Sequence, residues 1–262
     1  MDDKEPSHPL SHAPLLKAVT TVHDIAVAQA FYLRTPRGYT EHFSLLLYFT
    51  LIECTGSTLL LRENLRVAGV AAIVRSALDA FIDLKNLQKD PEYWRSLEAA
   101  DSIEWKKLLQ TASAKKNDFL AALTRDPNFA EYRSTISQNV SNAAARGIGK
   151  VDVEDRFDNV GQSALYKSLW PLLSADAHNN TSLLHSRHAR TQGDAFVLEL
   201  YSGRGAFGSS GLLTLAEMLM YTSEDIHETY GFGKGMVSEI RAIVDPLRAA
   251  AEEADKTGNF PD

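Results

Sequence analysis

The chain has 262 residues, of which 44% are hydrophobic and 23% are charged. This length suffices to bury a sizeable core, and the composition is that of a globular protein. The formal net charge of −7 disfavours a general nucleic-acid-binding protein, because phosphate binding relies on clustered lysine and arginine. The single cysteine, Cys54, excludes an intrachain disulfide and a multi-cysteine zinc site.

The N-terminal residues contain prolines, histidines and mixed charge, and they predict a flexible arm over residues 1–12. They do not show a basic start followed by an apolar run, so the sequence predicts a cytoplasmic protein without a secretory signal. Residues 13–262 are predicted to form a single helical domain.

Apolar residues recur at α-helical spacing along most of the chain, and proline or glycine separates the segments. In chain order, the predicted helices cover residues 13–34, 39–63, 65–88, 91–113, 115–124, 129–145, 162–188, 211–229 and 234–254. Residues 147–161 are polar and contain glycine, and they are predicted to form a hinge.

One segment has the character of a β-strand. Residues 195–201 read AFVLELY between turn-forming residues, which favours a short strand, paired in a hairpin with the residues before it. The predicted fold class is therefore all-α: a multi-helix bundle with one short β-strand or hairpin near residues 195–201.

Residues 43–61 form an apolar run of about the length of a membrane span. Glu53 and several hydroxyl-bearing residues interrupt this run. The sequence therefore favours a helix buried in the bundle, and no membrane partner is predicted.

Arg75 and Asp79 are the main charged residues in the otherwise apolar segment 67–82. They are four residues apart, so their side chains share one face of the predicted helix and are expected to pair. The sequence leaves open whether this pair lies at the surface or points into a groove between helices, where charge is costly unless it is paired or used.

A second polar motif occurs in segment 164–188. Tyr166 and Lys167 precede Ser174, and His178 follows Ser174 by four residues. On one continuous helix, Lys167, Ser174, His178 and His185 would share a face, although Pro171 favours a kink. A serine and a histidine can act as nucleophile and base, but no third orienting residue or oxyanion loop is visible.

The candidate polar site therefore combines residues from both motifs. We expect these side chains to lie within one site of about 10 Å, because polar groups on apolar helices avoid a desolvation cost by meeting one another. Whether the site catalyses a reaction stays open. Its members are Arg75, Asp79, Tyr166, Lys167, Ser174 and His178.

The same residues carry a family resemblance over roughly residues 40–190. The chain resembles a bacterial helical family of unknown function with an Arg-Ser-x-x-Glu motif, then Tyr-Lys/Arg and Ser-x-x-x-His. Arg75 and Asp79 match the first motif with aspartate in place of glutamate, and the residues from Tyr166 to His178 match the second. The resemblance implies kinship with HEPN-type helical domains and with phage-defence or toxin-like systems.

Metal-binding and nuclease motifs are weak in this sequence. His178, His185 and His188 lie at helical spacing, and Glu224 with His227 forms half of a di-iron signature. Arg37 and His42 have the spacing found in HEPN nucleases, but about one such match is expected by chance. No metal and no cofactor are predicted.

Three functional hypotheses follow. The first is a ligand-binding or RNA/nucleotide-directed effector of a bacterial stress or phage-defence system. The second is a structural or protein-interaction bundle whose polar residues fix helix register. The third is a metal-dependent helical-bundle enzyme. The partners stay unknown: the sequence leaves open a homodimer, and it leaves open nucleic acid without an extended basic patch.

Overall fold

The computed structural model describes residues 10–114, 120, 122–178, 180–192, 195–198, 209–231 and 234–257. Most of these residues are helical, and two short strands form one antiparallel hairpin. The predicted fold class, an all-α bundle with a short hairpin, is confirmed. Most of the predicted N-terminal arm lies outside the described residues.

The chain divides into two compact units. The first comprises Met1–Leu84 with Gln162–Asp262, and the second comprises Lys85–Gly161. The single helical domain expected over residues 13–262 stays a prediction.

The first unit begins with three long helices, which are α1 (His12–Ala30), α2 (Tyr39–Glu63) and α3 (Val70–Lys89), of which the last runs on into the second unit. Helix α2 has the predicted bounds, whereas α3 begins five residues later than expected. Leu65 and Gly69 explain the delay, since both have positive φ values, of 55° and 88°. A residue in the left-handed backbone conformation ends a right-handed helix, so α3 can begin only after Gly69.

The second unit contains α4 (Trp94–Ser113), a short 3-10 helix (Leu123–Arg125), α5 (Phe129–Ala145) and α6 (Val153–Asn159). Most of the helix predicted over residues 115–124 lies outside the described residues. Helix α6 falls inside the predicted hinge. Glu154 and Asp155 favour its first turn through the helix dipole, and Phe157 is fully buried.

The helix predicted over residues 162–188 is wrong as one continuous helix. Three helices replace it: α7 (Ser163–Lys167), α8 (Leu169–Ala177) and α9 (Thr181–His188). Ser168 separates α7 from α8, because its backbone angles, φ −113° and ψ −69°, depart from those of a regular helix. Pro171 fits the first turn of α8, where its missing N–H costs nothing, and the Asn180 side chain caps α9 by accepting from the Ser182 amide at 3.0 Å.

The hairpin pairs β1 (Ala189–Gln192) with β2 (Ala195–Leu198), and Arg190 lies opposite Val197. The predicted pairing with the preceding residues is thus confirmed, while residues 199–201 lie outside the described residues. Two long helices follow, α10 (Ser209–Tyr230) and α11 (Lys234–Thr257).

The core of the first unit forms around α1, which packs against α2, α10 and α11. A polar network joins three of these helices. The buried Tyr48 hydroxyl on α2 lies 2.9 Å from Gln29 Oε1 on α1 and 3.2 Å from Ser223 Oγ on α10. Burial raises the pKa of Tyr48 to about 12. The hydroxyl therefore stays protonated, donates to Gln29 and accepts from Ser223.

Helix α2 is long and apolar enough to cross a membrane by length and composition, and 39% of its most apolar window is buried. This is weak evidence for a membrane span, because core helices of soluble proteins pass the same test. One face of α2 packs against α1 and α10. The cytoplasmic location stays a prediction.

The segment between α1 and α2 is held by the Glu41 carboxylate. Arg34 donates to both carboxylate oxygens, at 2.7 and 2.9 Å, and the backbone N–H of Arg37 donates at 2.8 Å. These donors lower the pKa of Glu41 to about 2. From α10, the Tyr230 hydroxyl donates to the Glu41 carbonyl oxygen at 3.2 Å. We call this arrangement the Glu41 clamp.

We predict that Tyr48→Phe lowers the free energy of unfolding by about 1–3 kcal/mol, because it leaves the buried polar groups of Gln29 and Ser223 without their shared partner. Urea denaturation measures the change. The matched control is Tyr132→Phe, since Tyr132 is 43% exposed and its variant is expected to stay within about 0.5 kcal/mol. Equal stability of the two variants would contradict the role of the network.

We predict that Glu41→Gln reduces stability at neutral pH and weakens its pH dependence in acid. The folded pKa of Glu41, about 2, lies below the ordinary value of about 4.3. The clamp therefore stabilises the fold at pH values above the ordinary pKa of glutamate, and this contribution to the free energy of unfolding is lost as the pH falls towards 2. Melting temperatures of the wild-type and variant proteins, measured as a function of pH, test this prediction. Glu239→Gln, at an exposed position, is the control, and parallel profiles for all three proteins would refute the prediction.

Candidate functional site

The predicted site residues all lie in the first unit. Arg75 and Asp79 are half-buried on α3, and Tyr166 and Lys167 end α7. Ser174 is half-buried on α8, and His178 follows α8 with an exposed side chain. Lys167, Ser174 and His185 therefore belong to three separate helices, and the common face expected from one continuous helix is wrong.

Arg75 contacts an aromatic residue that the sequence analysis did not consider. Its guanidinium carbon lies 4.4 Å from the ring centroid of Trp170, and the Tyr166 ring lies 5.6 Å from the same tryptophan. This cation–π stack brings two of the predicted residues together around Trp170 and links α3 to α7 and α8. The four-residue spacing of Tyr166, Trp170, Ser174 and His178 is the sequence signal that could have identified Trp170.

Ser174 makes a hydrogen bond that is internal to its helix. Its hydroxyl donates to the Trp170 carbonyl oxygen at 2.9 Å, and its own carbonyl accepts from the His178 backbone N–H at 3.1 Å. Such back-bonding is the common structural use of serine in a helix. The pairing of Arg75 with Asp79, and one site shared by Arg75, Ser174 and His178, stay predictions.

A buried ion pair lies beside these residues and was missed by sequence reasoning. Arg187 on α9 donates to the carboxylate of Asp176 on α8, and their side chains are only 8% and 6% exposed. The pair ties α8 to α9. No periodicity reveals it, because its members lie on different helices joined by a turn.

The metal hypothesis gains no geometry from the described part of the chain, where no group of three His, Cys, Asp or Glu residues is placed to hold an ion. Glu224 instead lies 2.6 Å from the Arg241 guanidinium.

The second unit contains a cleft of about 400 Å³ between α4 and α5, which pack against each other. Its floor is apolar and includes the buried Ile136, whereas polar and charged side chains form its walls. We call it the α4–α5 cleft. The wall residues are Arg95, Glu98, Asp101, Ser102, Asn139, Asn142 and Arg146.

Two of the wall residues are fixed by their neighbours. Arg95 donates to Glu92 and lies over the Trp94 ring, 4.5 Å from its centroid. Asn142 accepts from the Gln138 side chain at 2.8 Å.

Four other wall residues have exposed side chains. The side chains of Glu98, Asp101, Asn139 and Arg146 make no hydrogen bond or ion pair with another described residue. The cleft thus presents two carboxylates, an amide and a guanidinium that have no partner in the described part of the protein. Sequence reasoning missed it, because each helix alone shows only an ordinary solvent-exposed polar face.

The model of a family described as a family of unknown function (DUF5677) matches residues 41–196. The matched segment contains all residues that line the α4–α5 cleft. No curated protein matches the chain, and no solved structure matches it. The expectation of a helical family of unknown function is confirmed, while its bacterial origin, its motifs and its HEPN kinship stay predictions.

We predict that Asp176→Leu and Arg187→Leu each lower the free energy of unfolding by about 3–5 kcal/mol, because each leaves a buried charge without its partner. The double variant should recover most of this loss, since an apolar pair of similar volume replaces both charges. Chemical denaturation measures all three, with the exposed Arg125→Leu as control. A double variant as unstable as the sum of the single variants would contradict the pairing.

Proposed function

This chain belongs to a family of unknown function (DUF5677), and we propose that it is a ligand-binding module that takes a small zwitterion, of the amino acid or short peptide class, in the α4–α5 cleft. The observation that carries this proposal is that four exposed side chains around one cavity, those of Glu98, Asp101, Asn139 and Arg146, have no partner among the described residues.

The charges on the cleft wall select the ligand class. Two arginines and two carboxylates line the cavity, and because Arg95 is paired with Glu92, the Arg146, Glu98 and Asp101 side chains are left for a ligand. A ligand with one anionic and one cationic group can pair with both kinds of side chain. A nucleoside triphosphate meets Glu98 and Asp101 as like charges, which disfavours it.

The size and floor of the cleft agree with a small ligand. Its volume of about 400 Å³ lies near the lower end of the range of about 300–1,000 Å³ that is typical of small-molecule pockets. The buried Ala99 and Ile136 offer apolar contacts for an aliphatic part. Because Arg95 is held by Glu92 and Trp94, one guanidinium is preorganised before the ligand binds.

The kinship with HEPN-type domains and phage-defence systems that the family resemblance implies is the basis for a wider role of this module. In that role the chain is an effector of a bacterial stress or defence system, and the zwitterion is the signal that the effector reads. An effector that acts on RNA or nucleotides would need a surface other than the α4–α5 cleft, because the carboxylates of the cleft repel phosphate groups.

The structural alternative has its own support. The buried Asp176–Arg187 pair and the Arg75–Trp170 stack both join helices and have no need of a ligand. Under this alternative the protein is a non-catalytic interaction bundle, and the cleft binds nothing.

We predict that the protein binds free L-amino acids or glycylglycine and that Arg146→Ala weakens binding at least about tenfold, because it removes a charge-assisted hydrogen bond worth about 1.5–3 kcal/mol. Isothermal titration calorimetry measures the affinity. The double variant Glu98→Gln, Asp101→Asn should lose the ammonium contact in the same way.

The matched control is Arg125→Ala, which removes an exposed arginine outside the cleft and should leave the affinity unchanged. Thermal melting of each variant checks that the fold survives. If none of these zwitterions binds, or if the Arg146 and Arg125 variants bind equally well, the cleft is not the ligand site and the structural alternative is favoured.

A further inference from the structure

Aromatic and cationic side chains alternate in the segment that joins α1 to α2. Residues 31–42 read FYLRTPRGYTEH. Phe31, Tyr32 and Tyr39 are 84%, 70% and 61% exposed, which makes them three of the most exposed large hydrophobic side chains of the described residues. We call residues 31–42 the aromatic segment.

The Glu41 clamp holds this segment in one conformation. Glu41 accepts three hydrogen bonds from Arg34 and from the Arg37 amide, at 2.7 to 2.9 Å. The Arg34 guanidinium also lies 4.8 Å from the ring centroid of Tyr230. A loop clamped in this way loses little backbone conformational entropy when a ligand binds.

The Glu41 clamp also determines which positively charged side chain of the aromatic segment is exposed. Arg34 neutralises the only carboxylate in the aromatic segment, that of Glu41. The side chain of Arg37 is exposed and forms no salt bridge with another described residue, although its charge helps to lower the pKa of Glu41. The segment therefore presents three exposed rings and one exposed guanidinium.

We infer that the aromatic segment binds single-stranded nucleic acid, with bases stacked on Phe31, Tyr32 and Tyr39 and a phosphate paired with Arg37. Exposed aromatic rings beside a cation are the means by which proteins hold unpaired bases and their backbone. A purely apolar partner would leave the Arg37 charge without a counterpart, which favours a phosphate-bearing one.

The aromatic segment can hold only a short stretch of nucleic acid. Three rings accommodate about two to three bases, since each ring stacks one. The net charge of −7 opposes any longer contact with the backbone, so binding is expected to be weak and strongly weakened by salt. This surface lies in the first unit and is independent of the α4–α5 cleft in the second, so either proposal can fail without the other.

The test is fluorescence anisotropy with a short labelled oligouridylate at low salt. The full chain is expected to bind it, and the double variant Phe31→Ala, Tyr32→Ala should weaken binding at least about tenfold, because two stacked bases are lost. Arg37→Ala should reduce the slope of log affinity against log salt concentration by about one. Melting curves check the folding of each variant, which should persist since the changed side chains are exposed.

The control is Tyr132→Ala, which removes an exposed ring in the second unit and should leave binding unchanged. A fully paired duplex of the same sequence should compete poorly, because its bases are not free to stack. The inference is overturned if the oligouridylate does not bind at low salt, which leaves a peptide as the partner of the rings. It is also overturned if the duplex binds as tightly as the single strand, or if the aromatic and control variants bind alike.

Discussion

The hydroxyl of Tyr48 is the interaction on which the first unit depends most. It is fully buried, and it joins α2 to Gln29 on α1 and to Ser223 on α10. Helices that pack through apolar side chains can slide or rotate at low cost, whereas a buried polar group is satisfied in only one register. Around this contact α1 packs against its neighbours, and the Glu41 clamp lies close by, where α1 ends, α2 begins and α10 ends.

The long helices could be predicted from the sequence because their signals are local. Residues 39–63 and 129–145 were predicted with the bounds that the structure has, since apolar periodicity and flanking glycine or proline define both. The delayed start of α3 could not be predicted, because Leu65 is a residue that rarely adopts the positive φ it has here. The break between α7 and α8 depends on Ser168, whose side chain gives no sequence signal for a helix break.

The polar contacts were harder to predict than the helices. The contact of Arg75 with Trp170, 95 positions along the chain, was not predicted, while its pairing with Asp79 stays a prediction. The Asp176–Arg187 pair and the α4–α5 cleft likewise depend on how separate helices meet. Helical spacing shows which side chains share a face, but it does not show which face of another helix lies opposite.

The binding surfaces proposed for this protein differ in their chemistry as well as in their location. The α4–α5 cleft presents side chains of both charge signs and buried apolar residues, which is suited to a small zwitterion. The aromatic segment has exposed rings and the exposed Arg37 guanidinium, which are suited to unpaired bases. The first takes its ligand inside a cavity, and the second presents a surface that a longer molecule can lie across.

The central claim is that the α4–α5 cleft is a ligand site, and a crystal structure of the protein soaked with glycylglycine tests it most directly. The account predicts electron density for the dipeptide in the cleft, with its carboxylate at the Arg146 guanidinium and its ammonium at Glu98 or Asp101. A cleft that stays empty at saturating dipeptide, with Arg146 turned towards solvent, would contradict the account.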